Sequence, residues 1–433
     1  KKLSIVHCAL SIVNCKLSII YCALLIVFCL LFGGKAWGQW SGAGTSSNPY
    51  KITNLTDITT LANNVNSGTT YENKYFEITA DISGVNTPIG TYANGQYQNF
   101  LGNIDGKNHI ITLSMNLPSQ SYVGLIGRLN GDATVQNITV RGSVKGSSPV
   151  AGIVASIGYS TGGNAHIYNC HNEATVEASS SAVGGVVGGG ICYTSGKHLI
   201  IENCSNSGII TSTYNSDYAG VGGIIGSAGY STTVKGCTNT GTITGASATA
   251  GGRMGGIAGC ASGGTAARSM ITGCTNRAKV SGSTNVGGIV GYMENATVDK
   301  CECPNTDKTI YQTNTGNAYG ALGGIVGAAS YGSIIRNCYN RSPINASCSN
   351  TSTPTGSSYL TYGSIGGVVG VAYNNNSNAL DVKSPIIENC YSIGAIAASN
   401  AYSVGGVAGR TYYVYINNCY NGGSITGKSA SYN

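Results

Sequence analysis

The chain has 433 residues, among them 65 glycines and 28 tyrosines, and a formal net charge of +7. Of its 23 basic residues four lie in residues 1–38, which leaves 19 basic against 16 acidic groups in residues 39–433. This balance excludes the concentrated basic surface that nucleic-acid binding requires. Only 9% of residues are charged, so surface polarity comes from Ser, Thr, Asn, Gly and Tyr, which suits neutral, hydrogen-bonding ligands.

Residues 1–38 differ from the rest of the chain. Lys1 and Lys2 precede an apolar run that continues through Phe32, and Ala36-Trp37-Gly38 forms a small-x-small cleavage site before Gln39. This order of features predicts a secretory signal peptide or leader, with a transmembrane anchor as the alternative. The expected localisation is therefore secreted or cell surface, with membrane contact only through export or an unseen anchor.

Residues 39–100 are predicted to cap the fold. Leu55, Ile58, Leu61, Ala62 and Val65 recur at helical spacing, and Gly68 follows them, which predicts a short helix over Leu55–Val65. A repeat fold needs such a cap because an open first coil exposes strand edges and core side chains.

Residues 101–433 contain a three-part repeat. Its first part is a Gly-Gly apolar strand, which starts at Gly184, Gly222, Gly255, Gly287, Gly323, Gly366 and Gly405. Its second part ends in cysteine at Cys170, Cys204, Cys237, Cys274, Cys301, Cys338, Cys390 and Cys419. Its third part is a Gly-x-apolar-x-Gly strand, such as NTGTITG from Asn239. The glycine pairs are 38, 33, 32, 36, 43 and 39 residues apart, a period typical of solenoids.

Each part is short, rich in Val, Ile and Thr, and bounded by turn residues, which predicts strands. One repeat cannot bury its apolar face, but stacked repeats close a continuous core. We therefore predict an all-β fold, a right-handed parallel β-helix with three strands per coil and about nine to ten coils. The glycine pair is interpreted as a corner, and the Asn two residues after each cysteine as a turn residue that stacks into an asparagine ladder.

The twelve cysteines beyond the leader allow two interpretations. Eight share one repeat position, which favours a buried column of free thiols. Disulfide pairing is the alternative, with Cys192, Cys260, Cys303 and Cys348 as candidates. We expect no metal site and no cofactor, because Cys301-Glu302-Cys303 is too closely spaced for zinc and no second cysteine pair complements it.

Several segments resemble the GLUG-motif repeat proteins of bacterial surfaces. They are WSGAGTSSNPYKITN from Trp40, LGNIDGKNHIITL from Leu101, YVGLIGRL from Tyr122 and the GGIVG and NC.N.G.I.G units. The resemblance covers roughly residues 40–433 and implies an adhesin-like exported protein or the accessory region of a surface protease. The zinc-ligand motif of the protease module has no counterpart in this sequence. Cys303 and Pro304 depart from the usual turn after Cys301.

No catalytic residues are predicted. Carboxylate pairs for glycoside hydrolysis lie about 5 to 9.5 Å apart, so on a β-helix they should recur at matched positions of adjacent coils. Glu202 and Glu388 share a position but belong to distant coils, and no evident cross-coil pair is found. We therefore expect no enzyme, with a β-helix lyase or hydrolase as the alternative.

Tyrosine supplies the candidate binding residues. Seven tyrosines follow the Gly-Gly strand by a few residues, and stacked coils would align them: Tyr159, Tyr193, Tyr230, Tyr292, Tyr331, Tyr373 and Tyr412. Exposed, they would stack on sugar rings and bind hydroxyl groups; buried, they would only pack. The insertions at Ser347–Ile365 and Tyr373–Pro385 are a second candidate surface. The expected function is a non-enzymatic surface protein that binds a glycan or a host or neighbour-cell ligand, and a structural spacer is a further alternative.

Overall fold

The computed structural model describes residues 40–93, 95–158, 163–190, 197–214, 220–245, 252–264, 267–314, 320–348, 363–374 and 380–429. The predicted leader, Tyr159, Tyr193, Cys192 and most of the insertion at Ser347–Ile365 lie outside these residues. Among the described residues, no helix has the length and apolarity needed to span a membrane.

The predicted cap helix is present as α1 (Leu55–Asn66). Asn54 begins it, because its side-chain oxygen accepts a hydrogen bond from the backbone N–H of Asp57 at 3.1 Å, a favoured way to satisfy a free helical donor. Gly68 follows the helix with φ +104°, a conformation that side chains disfavour. Ile58, Leu61, Ala62 and Val65 are buried in the same core cluster as the coils.

The first sheet is formed by the eight strands that precede the repeat cysteines and by four strands nearer the cap. In the described residues it has twelve parallel strands: Tyr50–Ile52, Tyr75–Ile78, Asn103–Asp105, Thr134–Gln136, Ala165–Tyr168, Leu199–Glu202, Thr232–Lys235, Ser269–Thr272, Ala296–Asp299, Ile334–Arg336, Ile386–Glu388 and Tyr415–Asn417. The cap segment therefore already contributes rungs to the solenoid.

The second sheet follows the cysteines. It starts with Ile82–Val85, Ile110–Asn116 and Thr139–Gly146. It then divides into a ladder of two-residue strands, namely His171–Asn172, Ser205–Asn206, Thr238–Asn239, Thr275–Asn276, Glu302–Cys303, Tyr339–Asn340, Tyr391–Ser392 and Tyr420–Asn421. A second ladder runs beside it: Thr175–Ala178, Ile210–Ser212, Ile243–Thr244, Val280–Gly282, Ile310–Asn314, Ile344–Cys348, Ile396–Ala401 and Ile425–Ser429.

The third and fourth sheets lie on either side of the glycine pair. The third contains Val150–Ala151, Val183–Gly184, Gly220–Gly222, Arg253–Gly255, Asn285–Gly287, Ala321–Gly323, Ser364–Gly366 and Ser403–Gly405. The fourth contains Ile126–Leu129, Val154–Ile157, Val187–Gly190, Ile225–Ala228, Ala258–Ser262, Val290–Glu294, Val326–Ser330, Val369–Tyr373 and Ala408–Tyr412. An antiparallel hairpin, Thr91–Ala93 with Gln96–Gln98, projects near the cap.

This arrangement confirms the predicted parallel β-helix. Each strand pairs in parallel with its equivalent one repeat later, as Val187 does with Ile225 and Ile225 with Ala258. The three predicted strands of a repeat appear as five shorter segments, because the glycine pair divides the first and a bend divides the third.

The glycine pair forms a corner, as predicted, but close packing explains its composition. A Cβ atom on Gly256 would lie 2.2 Å from Asn276 Cγ and 2.3 Å from the carbonyl oxygen of Gly288. Real Cβ contacts are not this short, so any other residue would force the coils apart.

The cysteine position is a second corner. In the IENC unit both Ile201 and Cys204 are buried, although strand alternation would send residues three apart to opposite faces. Asn203 between them has φ +53°, and this left-handed residue resets the alternation. An asparagine with positive φ also precedes most of the other repeat cysteines. Asn adopts this left-handed conformation more readily than most residues do.

The repeat cysteines form the predicted column of free thiols. All eight are unpaired, and each is buried except the half-buried Cys419. Their neighbours in the column supply weak hydrogen bonds, such as Cys301 N–H to Cys338 Sγ at 3.4 Å. Cys260 and Cys303 are also free and buried.

The asparagine ladder is confirmed, but its place is different from the prediction. Asn172, Asn206, Asn239 and Asn276 are buried within the two-residue strands, not exposed in turns. Each amide donates to the next along the column, at 2.7, 2.8 and 2.9 Å. Cys303 interrupts the ladder before Asn340.

Candidate functional site

The predicted tyrosines do not form one strip. Tyr373 and Tyr412 are in register on adjacent coils, but Tyr292 aligns with Ala328 and Tyr331 lies beyond the end of its strand. The cause is a different spacing from the glycine pair, since Tyr292 lies five residues after Gly287, Tyr373 seven after Gly366 and Tyr331 eight after Gly323. The expectation that stacking aligns the described members of the set is therefore wrong.

Tyr292 and Tyr373 pack against side chains of neighbouring coils. The guanidinium carbon of Arg253 lies 3.9 Å from the centroid of the Tyr292 ring, and the Tyr292 hydroxyl is 2.9 Å from Ser330 Oγ. Burial raises the pKa of Tyr292. Tyr373 is 8% exposed and packs with Ala328 and Val371. Tyr292 and Tyr373 thus have the packing role that the sequence analysis gave as the alternative to ligand binding.

The remaining described members differ in exposure. Tyr230 and Tyr331 are half-buried, and the Lys383 ammonium lies 5.1 Å from the Tyr331 ring centroid. Tyr412 is 38% exposed. It lies on the last coil that the structure describes.

A different group of tyrosines does stack. Tyr339, Tyr391 and Tyr420, here called the tyrosine ladder, are in register on three successive coils. Their ring centroids are 5.3 and 5.2 Å apart, with planes inclined by 7° and 6°. Each follows a repeat cysteine; because the cysteine points inward, the next residue of the strand points outward.

Glu302 continues the tyrosine ladder by one coil. It pairs in register with Tyr339 and accepts a hydrogen bond from the Tyr339 hydroxyl and one from Thr275 Oγ1 at 3.1 Å. Burial, together with the bond to Glu302, raises the pKa of Tyr339 to about 12. The Tyr339 hydroxyl keeps its proton and donates a hydrogen bond to Glu302.

The sequence analysis missed this ladder because it followed the glycine strand. The signal was available, since the three C-terminal NC units read NCYN, NCYS and NCYN, from Asn337, Asn389 and Asn418. In earlier coils Ser205, Thr238 and Thr275 occupy the same position. The change from Ser or Thr to Tyr in consecutive repeats distinguishes this end of the solenoid.

A groove near the cap contains the cross-coil carboxylates that the sequence analysis did not find. Glu77 and Asp105 are in register on adjacent strands of the first sheet and line a cavity of about 440 Å³ together with Tyr75 and Gln136. Lys107 bridges them, with its ammonium 3.2 Å from Asp105 Oδ2 and 3.7 Å from Glu77 Oε2.

Glu77, Asp105 and Lys107 form an ion-pair network. Burial opposes ionisation of Asp105, but hydrogen bonds from Asn137, the Lys107 backbone and Gln136 outweigh it and lower its pKa. A glycosidase requires one carboxyl with a raised pKa as general acid. Asp105 instead remains ionised and accepts hydrogen bonds.

Metal ligation finds no support in the described residues, where no three His, Cys, Asp or Glu side chains are grouped suitably. His171 illustrates the reason: its ring nitrogen Nδ1 lies 2.7 Å from Ser205 Oγ on the outer face, whereas Cys170 points into the core.

The fold and these outward ladders define a repeat protein of the parallel β-helix class. Residues 217–244 match the family model of the GLUG motif, so the resemblance found in the sequence is confirmed there. Halomucin from Haloquadratum walsbyi is 30% identical over 154 residues, which are 34% of this chain and 2% of halomucin. A crystal structure from Bacteroides ovatus, described as a putative immunoglobulin A1 protease, has 19% identity and a TM-score of 0.41, with 87% of this chain and 86% of that chain covered.

Proposed function

We propose that this chain is an exported, non-enzymatic surface repeat protein that binds glycans along the outer face of its solenoid. The GLUG motif and the similarity to halomucin support a surface-associated repeat protein. The signal-like segment at residues 1–38 supports export.

The tyrosine ladder is the observation that carries glycan binding. Its three aligned side chains combine an apolar ring with a hydroxyl, the combination that suits sugar recognition. Tyr339 and Tyr391 are half-buried on the outer face, and the Tyr391 and Tyr420 hydroxyls have no hydrogen-bond partner in the described part of the chain. These hydroxyls remain available to the hydroxyl groups of a sugar.

The repetition of the ladder indicates the shape of the ligand. Strands of a β-helix are about 4.8 Å apart, so the same group recurs at that interval along the rod. An extended polymer of similar units would meet equivalent contacts on successive coils. Such multivalent contact gives useful binding from weak individual sites.

Among the seven sequence-predicted tyrosines, Tyr412 is proposed as an additional contact on the coil that carries Tyr420. Tyr159, Tyr193, Tyr230 and Tyr331 stay in the proposal as secondary contacts. Tyr292 and Tyr373 would act through packing.

A glycan array with the purified full chain tests the proposal. The informative variant replaces Tyr339, Tyr391 and Tyr420 by Thr, which the same position already carries at Thr238 and Thr275. The control is Tyr92→Thr, an exposed tyrosine on the hairpin. We expect the wild type and the control to bind the same glycans and the triple variant to lose them with an unchanged circular dichroism spectrum.

Three results would overturn the proposal. If the folded wild type binds no glycan, the structural spacer becomes the better interpretation. If the triple variant binds as the wild type does, recognition lies elsewhere on the rod. Release of reducing sugar ends during incubation with a bound glycan would favour the enzyme.

A further inference from the structure

A separate polar cavity of about 490 Å³ opens on the second sheet. Its walls include Thr240, Thr242, Lys279, Lys308, Tyr311 and Asn345. This volume lies within the roughly 300 to 1,000 Å³ that is typical of small-ligand sites. It is distinct from the tyrosine ladder, whose members do not line it.

A local insertion builds one wall of this cavity. Three residues connect Asn276 to Val280, whereas six, from Pro304 to Thr309, connect Cys303 to Ile310. The longer connection is attached to the preceding coil, because Asn305 Nδ2 donates to the Arg277 carbonyl oxygen at 3.0 Å. The insertion therefore stands beside Lys279 in a defined position.

Lys279 differs in residue type from the equivalent residues of the two neighbouring coils. Ile243, Val280 and Ile310 pair in register, and the residues just before them are Thr242, Lys279 and Thr309. Both neighbouring coils therefore fold with a threonine at this position. Within the described ranges no carboxylate lies within 4.0 Å of the Lys279 ammonium, whereas Lys308 is paired with Asp307 at 2.8 Å.

The chemistry of the lining matches an anionic sugar unit. Two ammonium groups against one carboxylate leave a positive balance, which favours an anion. The Thr240 and Thr242 hydroxyls and the Asn345 amide can bind sugar hydroxyl groups. Tyr311, whose ring centroid is 5.9 Å from the Lys279 ammonium, offers an aromatic ring beside the charge.

We infer that this cavity binds a carboxylated or sulfated sugar unit, with Lys279 as the residue that selects the anion. The inference extends the proposed glycan binding to a second, charged class of ligand. It does not require the tyrosine ladder to bind.

The test measures binding of three oligosaccharides by calorimetry: a galacturonate oligomer, a sulfated galactose oligomer and a neutral galactose oligomer. The variant is Lys279→Thr, which copies the neighbouring coils. The matched control is Lys235→Thr, which removes a lysine paired with Glu202 at 2.9 Å on the first sheet and copies its neighbour Thr272.

We expect an anionic oligomer to bind the wild type and the control, and Lys279→Thr to weaken it by about tenfold or more, as loss of a charge-assisted hydrogen bond does. Binding should weaken as sodium chloride is raised, because salt screens exposed charges. Preference for galacturonate or for sulfated galactose identifies the anion.

Equal affinity for the neutral and anionic oligomers, or unchanged affinity in folded Lys279→Thr, would overturn the inference. The triple tyrosine variant separates this result from the proposed function. If that variant keeps the anionic binding while losing its array glycans, both sites operate. If the array shows no glycan but Lys279-dependent binding persists, the cavity inference stands without the ladder.

Discussion

The second glycine of each pair is the residue on which the packing of the coils depends most directly. Gly256 faces Asn276, and Gly223 and Gly324 face Asn239 and Asn340 in the same manner. The glycine column and the asparagine ladder are thus two halves of one interface, which is why both recur in the repeat.

Gly256→Ala should destabilise the protein by about 3 kcal/mol, the upper range for overpacking a tight core. The new Cβ would meet Asn276 Cγ and backbone of the next coil at 2.2 and 2.3 Å, and backbone cannot move cheaply. Urea unfolding measures the loss. Gly422→Ala is the control, since its Cβ would lie 3.4 Å from Ile393 Cγ2; equal losses in both variants would contradict this account.

The ladder asparagine at position 239 makes a second residue-level prediction. Its amide donates to Asn276 Oδ1 and to the Gly241 carbonyl oxygen, and its oxygen accepts from Asn206. Asn239→Ala leaves these buried groups without partners, at about 1 to 3 kcal/mol for each unsatisfied group. We expect thermal unfolding to show a loss of several kcal/mol, with a smaller loss for Asn239→Ser, because Ser392 already accepts from Asn340 in a later coil. A serine variant as unstable as the alanine variant would contradict this.

At the scale of the element, the repeat predicted strand identity well and side-chain direction poorly. The Val- and Ile-rich segments, the cap helix and the cysteine column all follow from periodicity. The direction of Tyr292 and the inward position of Asn239 do not, because both depend on where a left-handed or glycine residue resets the alternation. The Glu77 and Asp105 pair was missed because Glu77 lies in the cap segment and Asp105 in the coil next to it, and neither strand is followed by the cysteine that marks the repeat.

The cysteine column predicts how stability depends on pH. Burial raises the pKa of Cys204 and of Cys301, and hydrogen bonding with Cys338 raises that of Cys390 to about 12. Above about pH 8.5, the ordinary pKa of a thiol, the unfolded chain loses protons that these three thiols keep in the native column. Hydrogen bonds with neighbouring thiols lower the pKa of Cys274 and of Cys338 despite their burial, so these two partly offset the trend. The free energy of unfolding should therefore fall as pH rises, by up to about 1.4 kcal/mol per pH unit for each such thiol.

Urea unfolding over the alkaline range measures how steeply the free energy of unfolding falls with pH. Cys390→Ala should reduce this slope by the contribution of one thiol. Native protein should also react slowly with iodoacetamide, because the thiolate is the reactive form, and rapidly once unfolded. A stability that does not change with alkaline pH would contradict protonated buried thiols.

At the scale of the whole molecule, each coil contacts mainly its neighbours, so stability is the sum of coil and interface contributions. Helix α1 covers the core at the cap end, where Leu61 is 1% exposed and Leu55, on the same helix, is 41% exposed. Leu61→Ala should cost about 2 to 5 kcal/mol, as large-to-small changes in a core do. Leu55→Ala should be nearly neutral.

The distribution of this loss along the rod is the sharper prediction. Because coupling passes from coil to coil, hydrogen exchange in Leu61→Ala should accelerate first in strands near the cap, such as Ile82–Val85 and Ile110–Asn116. Amides in the middle of the rod, such as Ile257 and Ile289, which bond across adjacent coils, should keep their protection, since local openings need not involve the whole fold. Equal acceleration along the rod would mean that the solenoid unfolds as one cooperative unit and that the cap stabilises all of it at once.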